Sequence, residues 1–157
     1  MILVKKRFVM KCCVVSAFSS EYPFYRGLSA KEKTKCFEEL FGSIGKLICL
    51  GCKEFIFGSS DIGDNYAFNA VEFYRLSGEN VIAVADICGE HIITKGNDLD
   101  DVLDVKKSES FIEKTKSMID RSDYILLVWN NNSFSPIYAV IDYAQDNMKP
   151  IFYVSVI

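Results

Sequence analysis

The run Tyr124-Ile125-Leu126-Leu127-Val128, set between Asp123 and Trp129, is the feature that most limits what this chain can fold into. A strand with one wet face alternates apolar and polar residues, so an unbroken apolar run needs cover on both faces. Parallel strands packed between helices meet that need. The polar loop Asn130-Asn131-Asn132-Ser133 follows, then an amphipathic helix, then Lys149-Pro150 and a second apolar run, Ile151–Val156. This is a strand–loop–helix–strand unit, and in such sheets ligands bind just past the carboxyl ends of the strands.

The same alternation runs through the rest of the chain. Strands are predicted at Phe8–Ala17, Glu54–Phe57 and Val81–Ala85. Helices are predicted at about Ser29–Leu50, with Ser29 as N-cap, and at about Asn65–Leu76, Ser108–Arg121 and Pro136–Asp146, the last with proline in its first turn. The charged run Lys31–Lys35 is the solvated face of the first helix. Asp86–Lys107, rich in Asp, Gly and Asn, is the least regular segment and reads as a lid or a long crossover. Strands alternating with helices imply right-handed crossovers. The expected fold is therefore α/β, a Rossmann-like three-layer sandwich with a mainly parallel five-stranded sheet, forming one domain over residues 1–157.

Composition narrows the function classes. At 157 residues, half of them hydrophobic, the chain can bury one sizeable core. A net charge of −3 gives no electrostatic reason to expect nucleic acid as a partner. No apolar run approaches the roughly 20 residues of a membrane span, so no membrane partner is expected. Lys5-Lys6-Arg7 before an apolar stretch has the look of a secretory leader, but Lys11 interrupts that stretch and residues 8–17 make a good strand. The six cysteines lack regular spacing and read as reduced cytoplasmic thiols, with Cys12, Cys13 and Cys88 in or beside strands. Cys49-Leu50-Gly51-Cys52 matches a C-x-x-C pattern, yet it closes a helix, where the dipole opposes a thiolate. It is expected to be structural, and no second Cys or His pair completes a metal set, so no metal is expected.

With the predicted first and fourth strands adjacent at the switch point, three loops converge on one sheet edge. They are Ser16–Tyr25, Gly58–Asn65 and Asn130–Ser135, all rich in small polar residues. The expected ligand-binding residues are Ser16, Ser19, Gly58, Ser59, Ser60, Gly63, Asn130, Asn132, Ser133 and Ser135. The middle loop runs into a helix N-terminus whose free N–H groups suit an anion. The same residues also describe a tight turn with Asp61 or Asp64 as a helix cap.

Several motifs in this order resemble the YpsA-like branch of the SLOG superfamily. They are Cys12-Cys13-Val14-Val15, Phe55-Ile56-Phe57-Gly58 with Gly63-Asp64 and Ala67, Met118-Ile119-Asp120-Arg121-Ser122-Asp123, the strand ending in Trp129, and Tyr143-Ala144 before Lys149-Pro150-Ile151. The resemblance runs from about Met10 to the end, leaving Met1–Val9 as an extension or a prolonged first strand. It implies a Rossmann-like domain that binds nucleotides or nucleotide-derived ligands, with relatives that cleave an N-glycosidic bond. Where that family's first loop reads T-G-H-R, this chain has Ser16-Ala17-Phe18-Ser19. Where it carries Gly-Gly-Thr, this chain has Ser135-Pro136-Ile137.

Glycosidic hydrolysis needs a carboxylate beside the ribose and a second group to protonate the leaving base. Asp64 matches the family's Asp and is the candidate catalytic residue. Glu72 is expected to point away or to pair with Arg75, Asp142 to be solvated, and His91, the only histidine, to be a surface residue unless its segment folds over the site. Trp129, Phe18, Tyr22 and Tyr25 are candidates to stack on a base, or simply packed aromatics. The leading expectation is a module that binds or senses a nucleotide-derived small molecule. The alternatives are an N-glycosidic hydrolase or nucleoside ribosyltransferase using Asp64, and a protein-interaction domain with a degenerate site. No cofactor is identified, and a homo-oligomer is left open.

Overall fold

A computed structural model describes residues 9–16, 29–58, 62–87, 89–96, 111–129 and 135–155. Strand β1, Met10–Ser16, is central and buried on both faces, as its unbroken run Cys12-Cys13-Val14-Val15 requires. It pairs in parallel with β2 (Cys52–Phe57) on one side and β5 (Tyr124–Trp129) on the other. Outside these lie β3 (Ile82–Ile87), parallel to β2, and β6 (Ile151–Ser155), parallel to β5. A sixth strand, β4 (Glu90–Thr94), runs antiparallel to β3, so the order is β4-β3-β2-β1-β5-β6.

Period-2 alternation divides the core between the two faces. Cys12 and Val14 face helices α1 (Ala30–Cys49) and α2 (Ile62–Leu76), which bury Leu40, Ile44, Leu47, Ala70 and Val71 against the sheet. Cys13 and Val15 face α3 (Phe111–Asp120) and α4 (Ser135–Asp146), which contribute Met118, Ile119, Ile137, Val140 and Ala144. Three layers result, in the Rossmann-like order with β1 beside β5 at the switch point.

The expectation of five strands is corrected to six. The extra strand falls in Asp86–Lys107, expected to be irregular. Glu90-His91-Ile92-Ile93-Thr94 shows little apolar patterning because it is an edge strand whose Ile92 and Ile93 are exposed. It forms through a hairpin. Ile87 pairs with Glu90, and Gly89 takes φ 88, a left-handed conformation that glycine reaches without a Cβ penalty. Helix α2 also begins earlier than expected, at Ile62, and α3 is assigned from Phe111. Ser29 caps α1 as expected. Its Oγ accepts from Glu32 N at 3.2 Å, and Glu32 Oε1 accepts from Ser29 N at 3.3 Å.

Two polar anchors fix the sheet ends. At the amino edge Lys11 N donates to Asp123 Oδ2 at 2.9 Å while Asp123 N donates to Lys11 O at 2.7 Å, locking the β1–β5 register. Beyond β4, Glu72 of α2 accepts two hydrogen bonds from Arg75, at 3.0 and 2.7 Å, and a third from Gly96 N at 2.9 Å. Glu72 thus pairs with Arg75 and ties the end of the hairpin to α2.

Arg75's hydrogen bonds hold the Glu72 carboxyl below its usual range, with burial opposing and Gly96 N assisting. A depressed folded value means that this anchor acts fully above the unfolded carboxylate value of about 4.3 and is lost as pH falls through the folded value. Glu72→Gln should therefore lower stability at pH 7 by about 2 kcal/mol. In urea titrations the gap from the parent should narrow at acid pH, and an equal gap at pH 7 and pH 3 would rule the ionic anchor out.

Candidate functional site

The expected binding edge is only partly within the described residues. Ser19, Ser59, Ser60, Asn130, Asn132 and Ser133 lie outside them, as do Asp61, Phe18, Tyr22, Tyr25 and Cys88. Gly63 stands in the first turn of α2, and Ser135 opens α4. The β-register brings Ser16, Gly58 and the end of β5 to one edge, because Val14 pairs with both Phe57 and Leu126 and Ser16 with Val128.

Ser16 closes β1 on the α1/α2 side, the face that Cys12 and Val14 share. It is 2 % exposed, and its Oγ has no hydrogen-bond partner among the described residues. A buried hydroxyl without a partner costs about 1–3 kcal/mol relative to one in water, so a fold retains one where something else compensates. Asp64, in the first turn of α2 and 1 % exposed, is buried at the same end of the sheet. The Cys13 thiol is pushed up to about 12, mainly by burial, with the negative charge of Asp64 adding to the effect. A carboxylate is thus held near the carboxyl half of β1.

Gly58 lies on the other face. A Cβ there would come 2.4 Å from Met118 Sδ and 3.1 Å from Lys114 Cε, so its bareness serves the close approach of α3. Lys114, Met118 and Arg121 follow i, i+4, i+7 spacing, which sets two basic side chains on the helix face that packs on the strand ends.

A polar cluster sits one strand further out. Asp86, at the carboxyl end of β3, is 2 % exposed and lies cross-strand from His91. Its Oδ1 is 3.5 Å from both Arg121 Nη1 and His91 Nε2. The first contact is a long hydrogen bond; the second makes none and becomes an ion pair only if the imidazole is protonated. Arg121 also donates to Gly89 O at 2.7 Å, so α3 is stapled to the hairpin turn. His91 is therefore not the surface residue expected. Its side chain is 20 % exposed and packed beside Asp86, because β4 folds back on β3.

The remaining expectations resolve plainly. Asp142 is exposed, and Trp129 packs edge-to-face on Tyr138 at 5.9 Å. Cys49 is exposed and Cys52 buried, with free thiols at the end of α1 and the start of β2. Burial raises Cys12 well above its usual range, Cys36 to about 12 and Cys52 to about 11. Among the described residues no three His, Cys, Asp or Glu side chains gather as a metal set, and no helix is long and apolar enough to cross a membrane.

No protein-family model matches the chain, and no curated protein matches it.

Two measurements check this geometry. In the folded protein a maleimide should label Cys49 and spare Cys12, Cys13, Cys36 and Cys52, as read by peptide mass spectrometry. Labelling of Cys13 under native conditions would contradict its burial. Arg121→Met should lower stability by about 1–3 kcal/mol by removing a charged partner from buried Asp86. A double-mutant cycle with Asp86→Asn should show that the losses are less than additive, and strict additivity would mean that the two side chains are not coupled.

Proposed function

We propose that this protein binds a nucleotide or nucleotide-derived small molecule at the carboxyl edge of the sheet, as a sensor or sequestering module. The observation that carries this function is the buried, unpartnered Ser16 Oγ at the end of the switch-point strand, at the same edge as the buried Asp64. A sugar offers the matching chemistry, since its hydroxyls can bond with the Ser16 hydroxyl and donate to the Asp64 carboxylate. The resemblance to YpsA-like SLOG proteins points the same way. The missing T-G-H-R and Gly-Gly-Thr motifs favour binding over glycosidic hydrolysis. The free thiols of the described cysteines suit a reducing cytoplasmic setting.

A thermal-shift screen against nucleosides, nucleotides, dinucleotides and cyclic nucleotides tests the function, because a ligand at a hundred times its Kd adds about 2.7 kcal/mol. Ser16→Ala supplies the sharper check. Removing an unsatisfied buried hydroxyl should raise the melting temperature of the free protein while reducing the ligand-induced shift. A variant that gains stability and keeps the full ligand shift would detach Ser16 from binding. Asp64→Asn should alter affinity alone, whereas base release by the parent protein that is abolished in this variant would make it a hydrolase.

A further inference from the structure

On the β4 side the sheet ends in a strand that turns part of its backbone outward. In a two-residue hairpin the closing pair, here Ile87 and Glu90, exchanges both backbone bonds, and bonded pairs alternate with unbonded ones from there. Glu90, Ile92 and Thr94 therefore turn their N–H and C=O groups toward β3, while His91 and Ile93 turn theirs away from it. Folded proteins often blunt such an edge with proline or a bulge. Strand β4 has no proline, and its register on β3 is unbroken. It also presents Ile92 and Ile93 at 43 % and 58 % exposure, one on each face.

A second copy of this chain fits that edge. A two-fold axis normal to the sheet keeps each face on its own side, so residues set opposite one another come from one group, Glu90-Ile92-Thr94 or His91-Ile93. An axis centred on Ile92 uses the outward groups of both His91 and Ile93. His91 then bonds the partner's Ile93, Ile93 bonds the partner's His91, and the two Ile92 side chains meet across the axis. The charges match this antiparallel arrangement. Glu90 begins β4 and Lys95 follows its end, and both are exposed. Lys95 lies near α2, where its charge helps to hold the Glu72 carboxyl down and the next residue, Gly96, bonds Glu72. Glu90 shares the α2 side with Thr94, which pairs with Ala83. With the axis at Ile92, Glu90 stands opposite the partner's Thr94 and next to the partner's Lys95, at both ends of the ladder. The other sheet edge, β6, has no charged residue in Ile151–Ser155 and so has no such complementarity.

We propose that β4 is a homodimer interface, in which two copies pair antiparallel, edge to edge, across a two-fold axis at Ile92 and join their sheets into one. Two strands of five residues form a small interface, below the roughly 1,200 Å² of standard ones, so the association is of the weak, concentration-dependent class.

Sedimentation of the full chain over a concentration series tests this, with amide exchange as a second readout. The parent should pass from monomer to dimer as concentration rises, and the His91 and Ile93 amides should gain protection in step. Ile93→Pro removes an outward N–H and no bond to β3, and Ile92→Lys sets like charges against each other at the axis. Each should weaken association by about tenfold or more, with the melting temperature of the dilute protein little changed. Glu90→Lys should weaken it as well, and adding Lys95→Glu in the same chain should restore it. If Ile93→Pro disturbs the hairpin, this charge swap decides alone. A monomer at every concentration would overturn the proposal, and slow exchange at His91 and Ile93 in that monomer would show that the chain's own residues cover the edge. A dimer indifferent to these substitutions would overturn it by placing the interface elsewhere. Assemblies that grow without closing would overturn it too, since β4 would then be meeting a different surface of the next copy.

Discussion

Everything in this structure hangs on the parallel pairing of β1 with both β2 and β5. Four consecutive side chains, Cys12 to Val15, leave water in alternating directions, and each direction requires its own pair of helices. Without α1 and α2 on one side and α3 and α4 on the other, the strand would expose apolar surface at about 25 cal/mol per Å². The reciprocal bonds between Lys11 and Asp123 set the register, and a slip of one residue would turn each apolar residue of β1 to the wrong face.

That same register assembles the candidate site. The end of β1 leaves Ser16 at the sheet edge where α2 begins, and α3 approaches the same edge over Gly58 on the other face. The chemistry is divided by layer. The α2 side carries a buried carboxylate and a hydroxyl, and the α3 side carries lysine and arginine. Asp86 takes up the arginine at 3.5 Å.

Parallel strands were legible because burial on both faces writes an unbroken apolar run into the sequence, and β1, β2, β3, β5 and β6 were all found that way. Strand β4 was not. An edge strand bonded on one side needs no such run, and the signal it did leave was Gly89, the residue that permits the turn. The Glu72–Arg75 pair was readable from i, i+3 spacing. His91 and Asp86 were not readable as neighbours, since their contact is cross-strand and depends on a hairpin that had not been recognised. Lys114 was hidden for another reason. The periodicity of α3 marks Met118 as buried and so names the helix face, but only the packing against Gly58 shows which strand end that face meets.

The Lys11–Asp123 bonds join residues 112 positions apart. On a growing chain the unit β1–α1–β2 is complete by Phe57, and one face of β1 is then covered well before β5 exists. The second face waits until α3, β5 and α4 have been made, a closure whose entropy cost grows with the intervening length. During synthesis the central strand therefore passes through a half-covered state, with Cys13 and Val15 open to water and one row of its backbone groups unpaired. Folding of the C-terminal third is the step that ends this exposure, so the rate of that step sets how long the nascent chain remains vulnerable to aggregation.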